Sequence, residues 1–272
     1  IAPDAYLKPA SLLNALADYH LETVGNAGEL IPEHWNWDVQ QVKELAAAPS
    51  GYYDPLSVYS YIRERRHLDD VTAAKEYREQ LNYLLMHDEN RFFEAIGTSL
   101  VQGLYVTENC TGCLRPALET FKEAYCEVKS FIHEEEGHDQ YVLQTLNALP
   151  VNWKKLPLFD ETRFLMLVLK HTAKYHPLAF SCIVSQFEEP GYQPYDPTAE
   201  ILRRSSRPEA AKGVQKHFDI NKLGNHAETG AEFALNLQAI ELNELVMAMR
   251  FTELSKRLLI GIETRLYEAS LH

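Results

Sequence analysis

The feature that most limits what this chain can fold into is helical periodicity with almost no interruption. From about Asp69 to Thr107 there is no proline, and the only weak points are Gly97 and Gly103. After turn residues at Asn109 to Pro116, a second such stretch runs from about Ala117 to Ala148 and is ended by Pro150. Further stretches cover roughly residues 160–175, 177–189, 197–204, 208–237 and 240–271. Apolar residues recur every three to four positions in them, which buries one face of a helix. The whole chain holds 12 glycines in 272 residues and no convincing period-2 strand. Several long helices without a sheet bury their apolar stripes against one another, so the expected fold is an all-α helical bundle. No repeat or interdomain linker appears, and residues 1–272 read as a single helical domain with a core of about 70–272. Residues 1–69 read as an N-terminal helical extension, with Leu12, Leu13, Leu16 and Tyr19 on one face. A short helix follows from about Val39 to Ala47, before the break at Pro49-Ser50-Gly51.

Charge and cysteine usage remove several functions. The net charge of −13 opposes nucleic-acid binding, which needs clustered Lys and Arg against phosphate. No apolar run reaches the roughly 18 residues of a spanning helix. Ile1-Ala2-Pro3-Asp4 does not resemble a signal peptide. The expectation is a cytoplasmic protein with neither a nucleic-acid nor a membrane partner. Four cysteines (110, 113, 126 and 182) are too few for a disulfide framework. Cys110 and Cys113 form a lone CxxC in a segment that reads as a turn, without the second pair a structural zinc site needs.

Chemistry is concentrated in Phe131-Ile132-His133-Glu134-Glu135-Glu136-Gly137-His138-Asp139-Gln140-Tyr141. Glu135 and His138, three apart, are neighbours on one helical face. Val128, Phe131, Ile132, Val142, Leu143 and Leu146 place that face inward, where an unpaired charge is costly. Glu-x-x-His facing the interior of a bundle is a metal-ligand pairing, and its oxygen and nitrogen donors suit iron better than magnesium or calcium. On spacing alone, a solvated charge run with a core histidine explains the segment as well, so partners decide. An antiparallel neighbour with its turn near 112–113 brings Glu94 level with Glu135, with Glu108 and Glu89 as fallbacks. Glu188 follows Phe180, Val184 and Phe187 at the edge of an apolar face. The segment from His217 to Glu228 adds His217, Asp219, Asn221 and His226 among core-sized residues.

The order Glu, Glu-x-x-His, Glu, His-rich helix resembles the heme-oxygenase-like diiron oxidases and oxygenases. Glu134-Glu135-Glu136-Gly137-His138-Asp139 running on to Leu146-Asn147-Ala148-Leu149 is similar to that family's signature helix. The resemblance covers roughly residues 70–235. It implies a heme-oxygenase-like bundle of about seven core helices and a homodimer. It also implies two Fe(II) ions and dioxygen, acting on a small-molecule substrate such as an amino acid, amine or fatty acid by N-oxygenation, desaturation or carbon–carbon cleavage. The implied ligands are Glu94, Glu135, His138, Glu188, His217 and His226. The chain departs from the family's His-x3-Asp-x2-His helix, with Asn221 and Gly224 at its second and third positions. On a regular helix His217 and His226 differ by about 900° of rotation and face opposite ways. Either a π-bulge near Gly224 brings them together, or Asp219 and His226, seven apart, serve instead, with the iron weaker or singly occupied. Phe92, Phe93, Tyr105, Tyr141, Phe180 and Phe187 either wall a pocket or are plain core. Two other readings stay open: a metal-free enzyme of the same fold using Cys126 or Cys182, and a non-enzymatic iron-binding or structural helical protein.

Overall fold

The computed structural model describes residues 52–68, 72–188 and 195–272. The helices expected in residues 1–51 lie outside the described residues, as do residues 69–71 and 189–194. Apart from an isolated antiparallel bridge between Tyr53 and Ile240, the described residues form helices and turns. None of these helices is long and apolar enough to cross a membrane.

In chain order the helices are α1 (Pro55–Leu68), α2 (Thr72–His87), α3 (Glu89–Leu114), α4 (Ala117–Thr120), α5 (Tyr125–Glu134) and α6 (Asp139–Ala148). They continue with α7 (Asp160–Tyr175), α8 (Pro177–Glu188), α9 (Pro197–Arg203), α10 (Ala211–Leu223), α11 (Thr229–Leu235) and α12 (Leu242–Leu271). Local chemistry sets many of the boundaries. Asp88 separates α2 from α3 and caps the latter, accepting from Arg91 N at 3.2 Å. Asp196 caps α9, whose first residue is Pro197, a favoured position for proline. Glu244 of α12 accepts from the backbone N–H of Leu178 and faces His176, tying the start of α8 to α12.

Two adjoining apolar clusters form the interior. In the first, Phe121, Phe180 and Phe233 meet with ring centroids 5.6–5.9 Å apart, and Phe131 joins at 5.8 Å from Phe233. The second gathers Leu84, Phe92, Phe93, Ile96, Leu146, Leu165 and Leu202. Phe187 and Leu258 pack against both.

Four expectations change at the helix boundaries. The stretch from Asp69 to Thr107 is two helices, α2 and α3, parted at Asp88. Helix α3 runs on to Leu114, so Cys110 to Cys113 is helical rather than turn. The long stretch from Ala117 to Ala148 is three helices, interrupted at residues 121–124 and again at 135–138, where Gly137 takes φ +89°. That value is open to glycine and strained for other residues. The stretch 208–237 is also broken. Instead of a π-bulge there is a full stop after α10, with Asn225 left-handed at φ 56°, a conformation asparagine tolerates. A 3-10 turn, His226–Glu228, then leads into α11.

Candidate metal centre

The breaks at 135–138 and after α10, with the C-terminal end of α8, deliver polar side chains to one place. Glu135 and His138 lie in the bend between α5 and α6, Glu188 ends α8, and His226 opens the 3-10 turn after α10. These ends converge under Phe131, whose ring meets the His226 imidazole edge-on at 5.4 Å. All four polar side chains are buried: Glu135 is 4%, His138 3%, Glu188 8% and His226 1% exposed. One carboxylate oxygen each from Glu135 and Glu188 and one ring nitrogen of His226 lie within 4.8 Å of one another. An ion with bonds of about 2.1 Å separates its donors by about 3 to 4 Å. Among the described residues this is the one group of three such donors.

Without a cation the arrangement is held by His226. Its Nδ1 lies 3.1 Å from Glu188 Oε2 and 3.3 Å from Glu135 Oε1, and its Nε2 lies 3.1 Å from Glu134 Oε2. A single Nδ1–H serves only one of the two carboxylates it faces. It bonds Glu188, and Glu135 Oε1 is left buried with no hydrogen-bond partner. His138 Nδ1 stands 3.2 Å from Glu135 Oε2, in a geometry that makes no hydrogen bond, and is likewise buried and unpartnered. Buried polar atoms are rarely left this way, and an ion held by Glu135, Glu188 and His226 would satisfy the Glu135 carboxylate. The donor set of two carboxylates and imidazole nitrogen fits a borderline divalent ion such as Fe(II).

The electrostatics follow from the crowding. Burial works to raise the Glu135 pKa, but contacts with His138 and His226 overcome it and hold the carboxyl down at about 2. Burial, helped by the facing charge of Glu135, raises the Glu188 pKa against the pull of His226. Burial would lower the His226 pKa, but its contacts with Glu135 and Glu188 and their charges outweigh it and push the value up to about 10. Burial, with the nearby His138, lowers His217 to about 4, leaving it neutral.

Of the residues singled out in the sequence, Glu135, His138, Glu188 and His226 come together. His217 is beside them, its ring 4.9 Å from that of His138, but outside the three-donor group. Glu94 is not brought in. It is exposed on α3, 16 residues and therefore about 24 Å along the helix from Cys110, the α3 residue that faces Glu135. The register that favoured Glu94 assumed a turn at 112–113 and an unbroken following helix, and neither exists. Asp219 is exposed and accepts from Gln215 at 2.8 Å. The break at Gly224 turns His226 inward independently of α10, so Asp219 and His226 no longer share a face. Phe92, Phe93 and Phe180 are core, while Tyr141 lies beside His138 and His217 at 6.0 and 6.4 Å.

Two participants, Glu134 and Cys110, were not legible as such, and a third, Asn221, was singled out without its role. Glu134, half-exposed, reaches His226 Nε2 because the chain bends immediately after it. Asn221 donates its Nδ2–H to Glu188 Oε2 at 3.3 Å. Cys110 has its thiol pushed well above the usual range by burial and by Glu135 and Glu188. Glu134 and Cys110 had no usable signal: counted from Leu114 along an unbroken hairpin, the level of Glu135 still falls near residue 93, and the breaks at 121–124 and 135–138 are what bring Cys110 beside it. Of the cysteines weighed as nucleophiles, Cys126 is exposed and Cys182 buried. The chain matches no protein-family model and no curated protein.

Proposed function

We propose that this protein is an iron-dependent oxidoreductase that uses dioxygen to oxidise a small organic substrate, with a fold of the heme-oxygenase-like type. The observation that carries the reading is the buried meeting of Glu135, Glu188 and His226 from three separate segments, with an orphaned carboxylate oxygen and an orphaned imidazole nitrogen beside it. The motif resemblance across residues 70–235 supports iron and dioxygen over other metal chemistry. Glu135, Glu188 and His226 would hold the ion, with His138 next to it. Bound there, iron would supply the activation of dioxygen that protein side chains lack. The chain's own residues do the rest. Asn221 orients Glu188, Glu134 braces the far side of the His226 ring, and Phe131 with its core neighbours keeps water from that side. The amino-acid, amine or fatty-acid substrate, the choice among oxidations, and a homodimer follow from the resemblance alone.

The test is anaerobic Fe(II) loading followed by metal analysis, then oxygen uptake on a panel of amino acids, amines and fatty acids. The wild-type protein should retain iron, and Glu135→Gln and His226→Ala should each lose it while keeping their helical circular dichroism. Iron retained by both variants, or none bound by the wild type, overturns the reading.

A second reading rests on a specific observation: both ring nitrogens of His226 already face carboxylates, so His226 is satisfied as the centre of a structural ion network. It requires that Fe(II) addition release no proton from the protein, whereas metal occupancy requires His226 to give one up.

A further inference from the structure

We infer that this centre holds one divalent ion rather than two, and that Asn221 is the residue that sets the limit. The inference rests on the metal-centre reading above and goes on to fix its stoichiometry.

Charge is the first ground. Two carboxylates, one divalent ion and neutral imidazoles sum to zero. A second divalent ion would leave two positive charges on buried groups, and uncompensated buried charge is among the most costly arrangements in a protein. Glu134 is half-exposed and already engaged with His226 Nε2, so it offsets little of this.

Donor geometry is the second ground. One three-donor group exists among the described residues. On its α10 side the next donors are His138 and His217, with rings 4.9 Å apart, and neither brings negative charge. The polar side chain there is Asn221, four residues after His217. Its Nδ2 donates to Glu188 Oε2, and its Oδ1 is buried without a hydrogen-bond partner. An amide at this point does two things a carboxylate would not: it donates a hydrogen bond that fixes Glu188, and it adds no charge. Aspartate there would supply the missing anionic donor beside two imidazoles. The nearest aspartate on the same helix, Asp219, points to solvent and accepts from Gln215.

The experiment is anaerobic titration of the full chain with Fe(II) alone, followed by calorimetry and by metal analysis after desalting. It compares wild type, Asn221→Asp and Asn221→Ala. The wild type should take up one equivalent, the Ala variant also one with weakened affinity, and the Asp variant two. Two equivalents in the wild type overturn the inference while leaving the metal-centre reading intact. No uptake by the wild type overturns both. One equivalent in a folded Asn221→Asp protein shows that Asn221 does not set the limit. Should that variant fail to fold, the wild-type count still decides the stoichiometry.

Discussion

His226 is the residue on which the cluster turns, and its protonation gives the metal-free protein a definite pH signature. Its folded pKa of about 10 lies above the ordinary 6.5, so the folded state holds the proton more tightly than the unfolded chain. The resulting stabilisation is fully present below pH 6.5 and is lost as pH rises toward 10. Glu135 behaves in the opposite way. Its carboxyl, held at about 2 against an ordinary 4.5, contributes above pH 4.5 and stops contributing as pH falls toward 2. Urea unfolding of metal-free wild type should therefore show a loss of about 1–3 kcal/mol between pH 6.5 and pH 9. His226→Gln should lack that loss, and equal slopes for the two proteins would remove His226 from the account. Among single residues, Glu135 and His138 were readable because the apolar positions around them leave their face no outlet to water. Glu134 was not readable: it sits on the solvent side of any regular helix, and only the bend that follows lets its carboxylate reach His226.

At the level of elements, the helices were legible and their interruptions were not. The spans of α7, α8, α9 and α12 follow from apolar periodicity, with Pro177 and Pro197 opening α8 and α9. By contrast, Gly137 and Asn225 read as tolerable residues inside longer helices, because a local pattern does not reveal where tertiary packing forces a positive φ. Those two places carry the site, so the error in helix length and the error in ligand choice have one cause. Gly224 shows how tightly the second break is built. A methyl group on its Cα would stand 2.7 Å from Cδ2 and Nε2 of His226, and that ring is packed between Phe131 and the carboxylates. Gly224→Ala keeps an ordinary helical φ of −72°, so α10 should form normally while the imidazole is displaced. Fe(II) affinity should fall about 10- to 100-fold, as it does when a metal ligand loses its support, with helical content unchanged. Wild-type affinity in this variant, measured by anaerobic titration, would show that the ring position does not matter.

On the scale of the whole molecule, the centre joins parts of the chain that are remote in sequence. Glu135 belongs to a bend whose flanks, Phe131 and Val142, pack in different apolar clusters. Glu188 follows Phe187, which touches both clusters, and His226 begins the turn leading to Phe233 in the first. An ion bound by all three residues ties the two clusters together, and because the unfolded chain cannot assemble that set of donors, binding shifts the folding equilibrium by mass action. At free Fe(II) a hundred times the dissociation constant the gain is about 2.7 kcal/mol. For a chain of this size, with about 2–4 °C per kcal/mol, that raises the melting temperature by about 5–10 °C. The rise should grow with the logarithm of Fe(II) concentration and be absent in Glu135→Gln, when both proteins are melted anaerobically at the same pH. A wild-type melting temperature indifferent to Fe(II) would mean that the ion, if it binds at all, does not bridge the clusters. The convergence of Glu135, Glu188 and His226 would then be an internal ion network and nothing more.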